Sequence, residues 1–138
     1  MKTEIVSTAE CSGCTDCVVV IDVIRAFTTA AFAFAAGAKE ILLAGEVEAA
    51  FRLRERFPGS LITGEVNGVQ VPGFDFGNSP SIFEKRRLDG KTLIQRSTAG
   101  TQGVVASTRA KTLFAAAFTN ARAAAAAIAG ANPSTVSF

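Results

Sequence analysis

Three carboxylates, Asp22, Glu65 and Asp75, and two guanidinium groups, Arg25 and Arg96, stand in polar stretches that follow short apolar runs. Thr98 and Asn120 occupy equivalent positions, while Asn78 and Ser79 stand with Asp75 in the Gly-rich segment Gly73–Pro80, whose glycines allow tight turns beside their polar atoms. In an open α/β sheet, ligands bind beyond the carboxyl ends of the strands, so residues placed this way gather along one rim. Hard oxygen ligands without imidazole or thiolate partners suit magnesium rather than zinc. Magnesium keeps several waters and bridges to a phosphate, so one or two of these acids would suffice. The run Arg96-Ser-Thr-Ala-Gly100-Thr101 reads as an anion cradle, with hydroxyls and glycine amides ahead of a helix and Arg96 supplying full charge. Phosphoryl chemistry at such a rim would rest on metal, arginine charge and backbone amides. Each residue also has a structural alternative. Thr98 and Asn120 could cap helices, Asp22 and Arg25 could pair with each other, and Ser79-Pro80 could simply open a helix.

Several chemistries are excluded by what the chain lacks. It contains no histidine, which removes Ser–His triads, His-ligated zinc and any imidazole base from within this chain. Cys11, Cys14 and Cys17 have a C-x2-C-x2-C spacing, but no fourth Cys or His completes a metal site, so they read as free thiols near a strand entrance. No Arg stands six positions after any of them, so the cysteine-phosphatase loop is absent. Gly90-Lys91-Thr92 mimics the end of a P-loop, yet Lys85 fills the earlier glycine position and a strand follows. Asp22 is followed two residues later by Ile24, not by the second acid of aspartyl-phosphate phosphatases.

The elements that must position these groups follow from the apolar pattern. With 138 residues, 49% hydrophobic and 19% charged, the chain has the length and composition of one globular domain spanning residues 1–138. A net charge of +2 is too mild for nucleic-acid capture. The apolar stretch Ile24 to Ala38 is interrupted by Arg25 and too short to span a membrane, and Glu4 stands where a signal sequence would turn apolar. A cytoplasmic protein is therefore expected. Strands are expected at Glu4–Ser7, Cys17–Ile21, Lys39–Ala44, Leu61–Thr63, Lys91–Gln95, Lys111–Phe118 and from Ser134 onward. Helices are expected at Arg25–Ala36, Glu46–Phe57, Thr101–Arg109 and Asn120–Ala131, with Gly37 and Pro58-Gly59 as stops. Repeated β–α units predict an α/β fold: a mostly parallel sheet with helices packed on both faces.

Asp22-Val-Ile-Arg25-Ala-Phe-Thr-Thr29, Gly64-Glu65, Gly73-Phe-Asp75-Phe-Gly77-Asn78-Ser79-Pro80 and Ser97-Thr98-Ala99-Gly100-Thr101, in this order, resemble the 2-phosphosulfolactate phosphatase family. The resemblance implies an α/β fold particular to that family and a magnesium-dependent acid phosphatase. Such an enzyme hydrolyses 2-phosphosulfolactate, a small phosphorylated anion, to 3-sulfolactate and phosphate in coenzyme M biosynthesis. By the same resemblance, Asp22, Arg25, Glu65, Asp75, Asn78 and Ser79 belong to the active cleft. Thr98, Gly100 and Thr101 line the anion-binding turn, and Asn120 lies at the next rim position. Asp22 and Glu65 are expected toward Mg2+, Arg25 and Arg96 toward the anionic groups. Two departures are visible: Ala99 replaces the Asn of the family's usual turn, and Phe27 replaces a small hydroxyl residue. Family members continue through a comparable second portion, so the chain reads as the N-terminal part of a longer phosphatase. The alternatives are an inactive anion-binding remnant or an oligomerisation module, and a homo-oligomer with no nucleic-acid or membrane partner is expected.

Overall fold

The run Cys17-Val-Val-Val-Ile21 is apolar on every residue, as a strand covered on both faces must be. In the computed structural model, which describes residues 1–138, it forms β2 (Cys17–Ile21) at the centre of a four-stranded sheet. Around it lie β1 (Lys2–Glu4), β7 (Thr135–Ser137) and β6 (Thr112–Ala116), in the order β1-β7-β2-β6. A second sheet of three strands has the order β3-β5-β4, from β3 (Glu40–Ala44), β5 (Thr92–Arg96) and β4 (Leu61–Gly64). Every pairing within the two sheets is parallel. The α/β architecture therefore matches the expectation, with the strands divided between two sheets instead of one.

Four α-helices cover these sheets: α1 (Ala26–Ala35), α2 (Val47–Arg56), α3 (Gly100–Ala106) and α4 (Ala121–Ala131). Alternation along β5 sorts the second sheet's two faces. Leu93 packs with Ala33 of α1 and with Phe83 and Leu88, while Ile94 packs with Ala50 of α2 and with Phe74. On the first sheet, Cys17, Val19, Ala116 and Val136 lie against Ile128 of α4. Helix α3 fills the seam between the sheets, touching β2 and β3. Its glycines make this possible: a β-carbon on Gly103 would stand 2.8 Å from Val20 Cγ1. None of the helices is long and apolar enough to cross a membrane.

The boundaries differ from the sequence expectations where side chains redirect the backbone. The first strand is Lys2–Glu4 rather than Glu4–Ser7, because Glu4 accepts the Ser137 hydroxyl at 2.7 Å and sets the register with β7, leaving Ile5 exposed. Helix α3 stops at Ala106 instead of Arg109, since the Ser107 hydroxyl donates back to the Gly103 carbonyl at 2.7 Å. Strand β6 ends at Ala116, where Asn120 folds the chain back by accepting from Ala117 N–H and donating to the Ala115 carbonyl. Ser79-Pro80 does open a helix, but only a single 3-10 turn, Pro80–Ile82.

Gly64 closes β4 at φ +147°, and a β-carbon there would overlap the carbonyl of Arg96 on β5. No side chain can occupy that position without moving β4 from β5. Gly64→Ala is expected to destabilise the fold by about 3 kcal/mol, read as a lowered urea midpoint at unchanged slope.

Candidate functional site

Where β2 ends, the Asp22 N–H continues the ladder to the Ala116 carbonyl at 3.0 Å, and the chain then turns into α1. One Asp22 carboxylate oxygen accepts the Ala26 N–H at 3.1 Å, and the other accepts the Gly100 N–H at 2.9 Å. A carboxylate is thereby shared between the first turns of α1 and α3, where unpaired N–H groups and the helix dipoles favour negative charge. Gly100 is required for this contact, since a β-carbon would lie 2.7 Å from Asp22 Oδ2. Arg25 occupies the N-cap of α1 and is exposed. The four ion pairs of the molecule do not include Asp22 or Arg25, so the two do not pair with each other.

Glu65 follows Gly64 and is 7% exposed. Thr98 donates to it twice, from the backbone N–H at 2.6 Å and from the hydroxyl at 2.8 Å, and Gly68 N–H donates at 2.5 Å. Burial by itself pushes the Glu65 carboxyl up. The Thr98 and Gly68 N–H groups, the Thr98 hydroxyl and the nearby Arg96 charge together outweigh it and hold the group below its ordinary value. Gly68 reaches Glu65 through a two-residue hairpin, in which Val66 and Val69 pair across Asn67 (φ +51°) and Gly68 (φ +82°). Val-Asn-Gly-Val, absent from the elements expected above, is a strong hairpin signature, and its turn also directs the Asn67 N–H to the Thr98 hydroxyl at 2.7 Å.

Asp22, Arg25, Glu65, Asn78 and Thr98 line one hollow of about 180 Å³, together with Ile24, Gly68 and Ala99. It lies where the carboxyl ends of β2, from one sheet, and of β4 and β5, from the other, come together. Asn78 is 6% exposed, and its buried Oδ1 has no hydrogen-bond partner.

The other candidates stand elsewhere. Asp75 accepts the Ile62 N–H at 2.8 Å near the opposite end of β4 and faces Arg54 at 3.7 Å. Arg96 does not line the hollow; it braces the wall from behind, donating to the Glu65 carbonyl at 2.7 Å and the Gly45 carbonyl at 3.2 Å. Thr101 is fully buried and engaged with Ser97, whose N–H it accepts at 2.8 Å and whose carbonyl it meets at 2.9 Å. Gly100 acts through its N–H on Asp22, Ser79 shares a hydroxyl contact with Ser81 at 3.1 Å, and Asn120 serves the turn after β6.

No group of three or more His, Cys, Asp or Glu side chains is arranged to hold a metal ion. What the hollow offers a cation is two carboxylates whose oxygens already accept backbone N–H groups. That donor set fits an ion that keeps most of its water, as magnesium does, and not zinc. All three cysteines are free thiols, and burial followed by the Asp16 charge pushes the Cys17 thiol up.

The family model described as 2-phosphosulpholactate phosphatase matches residues 4–138. A "Probable 2-phosphosulfolactate phosphatase" of Bacillus subtilis (strain 168) is 45% identical over 104 residues, covering 75% of this chain and 46% of that protein. One of the same name from Carboxydothermus hydrogenoformans is 47% identical over 106 residues, covering 77% and 44%. The chain spans about half the length of the relatives it matches.

Because the folded state holds the Glu65 carboxyl below its ordinary value, its contribution to stability is present in full above the ordinary carboxylate range and is lost as pH falls through the lowered value. Thr98→Val removes one donor to that carboxylate and the acceptor of the Asn67 N–H, and is expected to cost about 2 kcal/mol near neutral pH. In acid, once Glu65 is protonated, the difference from the parent narrows. Urea unfolding of both proteins, followed from pH 7 downward until the difference stops changing, checks both statements.

Proposed function

The chain belongs to the 2-phosphosulfolactate phosphatase family, and from that premise we propose that its hollow takes a small phosphorylated, doubly anionic substrate, 2-phosphosulfolactate, and hydrolyses the phosphate ester. In net terms one water is consumed: the bond from phosphorus to the ester oxygen breaks, that oxygen leaves protonated as 3-sulfolactate, and the water oxygen ends on the phosphate. What supports this reading is the convergence of Asp22, Arg25, Glu65, Asn78 and Thr98, from separate stretches of chain, on one polar hollow.

The residues divide the work by their chemistry. Arg25, exposed and without an ion-pair partner, offers a planar fork of donors to a phosphate or sulfonate. Asp22 and Glu65 would hold Mg2+ between them; backbone N–H groups keep Asp22 in orientation, and backbone N–H groups together with the Thr98 hydroxyl do so for Glu65. The metal, when bound, supplies positive charge against the phosphate oxygens. Asn78 is a wall residue whose Oδ1 is buried and has no partner within the protein. Thr98 sets Glu65 and is itself set by Asn67.

A second reading is favoured by the extent of the match, which covers about half of the relatives. Under it, this chain binds the anion without turning it over. The homo-oligomer expected from the sequence is likewise a proposal, which sedimentation of the purified chain reads; a strict monomer removes it.

Phosphate release from 2-phosphosulfolactate by the purified chain separates these readings. Release that requires magnesium, stops on chelation and falls by about 100-fold or more in Asp22→Asn is the expected outcome. Arg25→Ala is expected to raise KM by about tenfold through the lost charge-assisted contact. Saturable binding of 2-phosphosulfolactate without release supports the second reading, and neither binding nor release removes both.

A further inference from the structure

Strand β5 carries an amide in the middle of the protein's apolar interior. Gln95 is fully buried and shares a face with Leu93, the face that packs toward α1. Its Nε2 donates to the Ala26 carbonyl at 2.7 Å, while its Oε1 has no partner. One turn further along α1, Thr29 is also fully buried, and its hydroxyl has no partner. A buried acceptor left unmatched destabilises a fold, whereas an apolar side chain of similar shape carries no such penalty. Stability alone therefore does not account for Gln95.

What Gln95 holds is the first turn of α1. Ala26 is tied on both sides: its N–H donates to Asp22 and its carbonyl accepts from Gln95. Arg25 is the residue immediately before it. The next residue of β5, Arg96, does the same for the other wall, donating to the Glu65 carbonyl. We propose that Gln95 is a positioning residue that fixes the α1 start, and through it Asp22 and Arg25, against the Glu65 wall of the hollow. Only the catalytic consequence of this role rests on the proposed function; the mechanical one does not.

Gln95→Met keeps the volume and removes the amide. Its melting temperature is expected to equal or exceed that of the parent, while amide hydrogen exchange over residues 22–29 quickens by about tenfold and other segments keep their rates. With 2-phosphosulfolactate and magnesium, kcat is expected to fall by about tenfold or more, as displaced catalytic groups require. Thr29→Val removes the other orphaned group from the same buried region without removing a hydrogen bond. It is expected to leave exchange over 22–29 and turnover unchanged. Gln95→Asn, one methylene short of the Ala26 carbonyl, is measured alongside in case the Met variant does not fold, with the same exchange result expected. Parental exchange over 22–29 in either folded Gln95 variant overturns the proposal. So does a lowered melting temperature with all segments accelerated alike, because Gln95 would then be core filling only. If the parent releases no phosphate, the proposed function falls while the exchange measurement still decides the role of Gln95.

Discussion

One carboxylate joins the parts of this molecule that matter for its chemistry. Asp22 leaves the central strand of the first sheet and accepts N–H groups from Ala26 and Gly100, the first residues of α1 and α3. Helix α1 leads on to the second sheet, and α3 lies in the seam between the sheets. A side chain holding both helix starts therefore fixes how the two sheets meet, and the hollow forms at that meeting. The arrangement depends on glycine at position 100, where any β-carbon would crowd the carboxylate. Asp22 is at once a structural joint and part of a wall lined by polar groups, so its geometric constraint and its candidate chemical role cannot be separated by sequence position.

The opposite wall obeys the same logic with different parts. Glu65 is buried, and an ionised carboxylate taken out of water needs donors close by. The Asn67-Gly68 turn and the Thr98 backbone and hydroxyl supply them, with Arg96 behind. Negative charge is held on both sides of the hollow by backbone dipoles, and Arg25 is the exposed positive charge on its lining. It is on this asymmetry, two carboxylates with one exposed guanidinium, that the proposed pairing of magnesium with an anionic substrate rests.

Much of this was legible in the residues, for identifiable reasons. Cys17–Ile21 reads as a covered strand because its apolar run has no polar alternation, and β2 has those bounds. The polar residues after β2, β4 and β5 read as a rim because parallel strands put their carboxyl ends on one side. Asp75 and Asn120 carry the same residue types and equally polar settings, yet one is bonded to Ile62 N–H and the other closes the turn after β6. Type and neighbourhood in sequence do not distinguish a carboxylate that faces a hollow from one that satisfies a backbone N–H. Thr101 illustrates the same point: beside Gly100 it reads as a phosphate ligand, and its bonds are spent on Ser97.

Local order, then, followed from the chain alone: apolar runs must be covered, glycine and proline end elements, and repeated β–α units give parallel strands. The family, too, is carried by short motifs whose order survives without coordinates. The division into two sheets, the convergence of Asp22 and Arg25 with Glu65, Asn78 and Thr98, and the burial of Gln95 were decided only by packing. These are contacts between residues tens of positions apart. Which of them form depends on how closely helices can approach strands, as Gly103 does against Val20, and no local pattern encodes that distance.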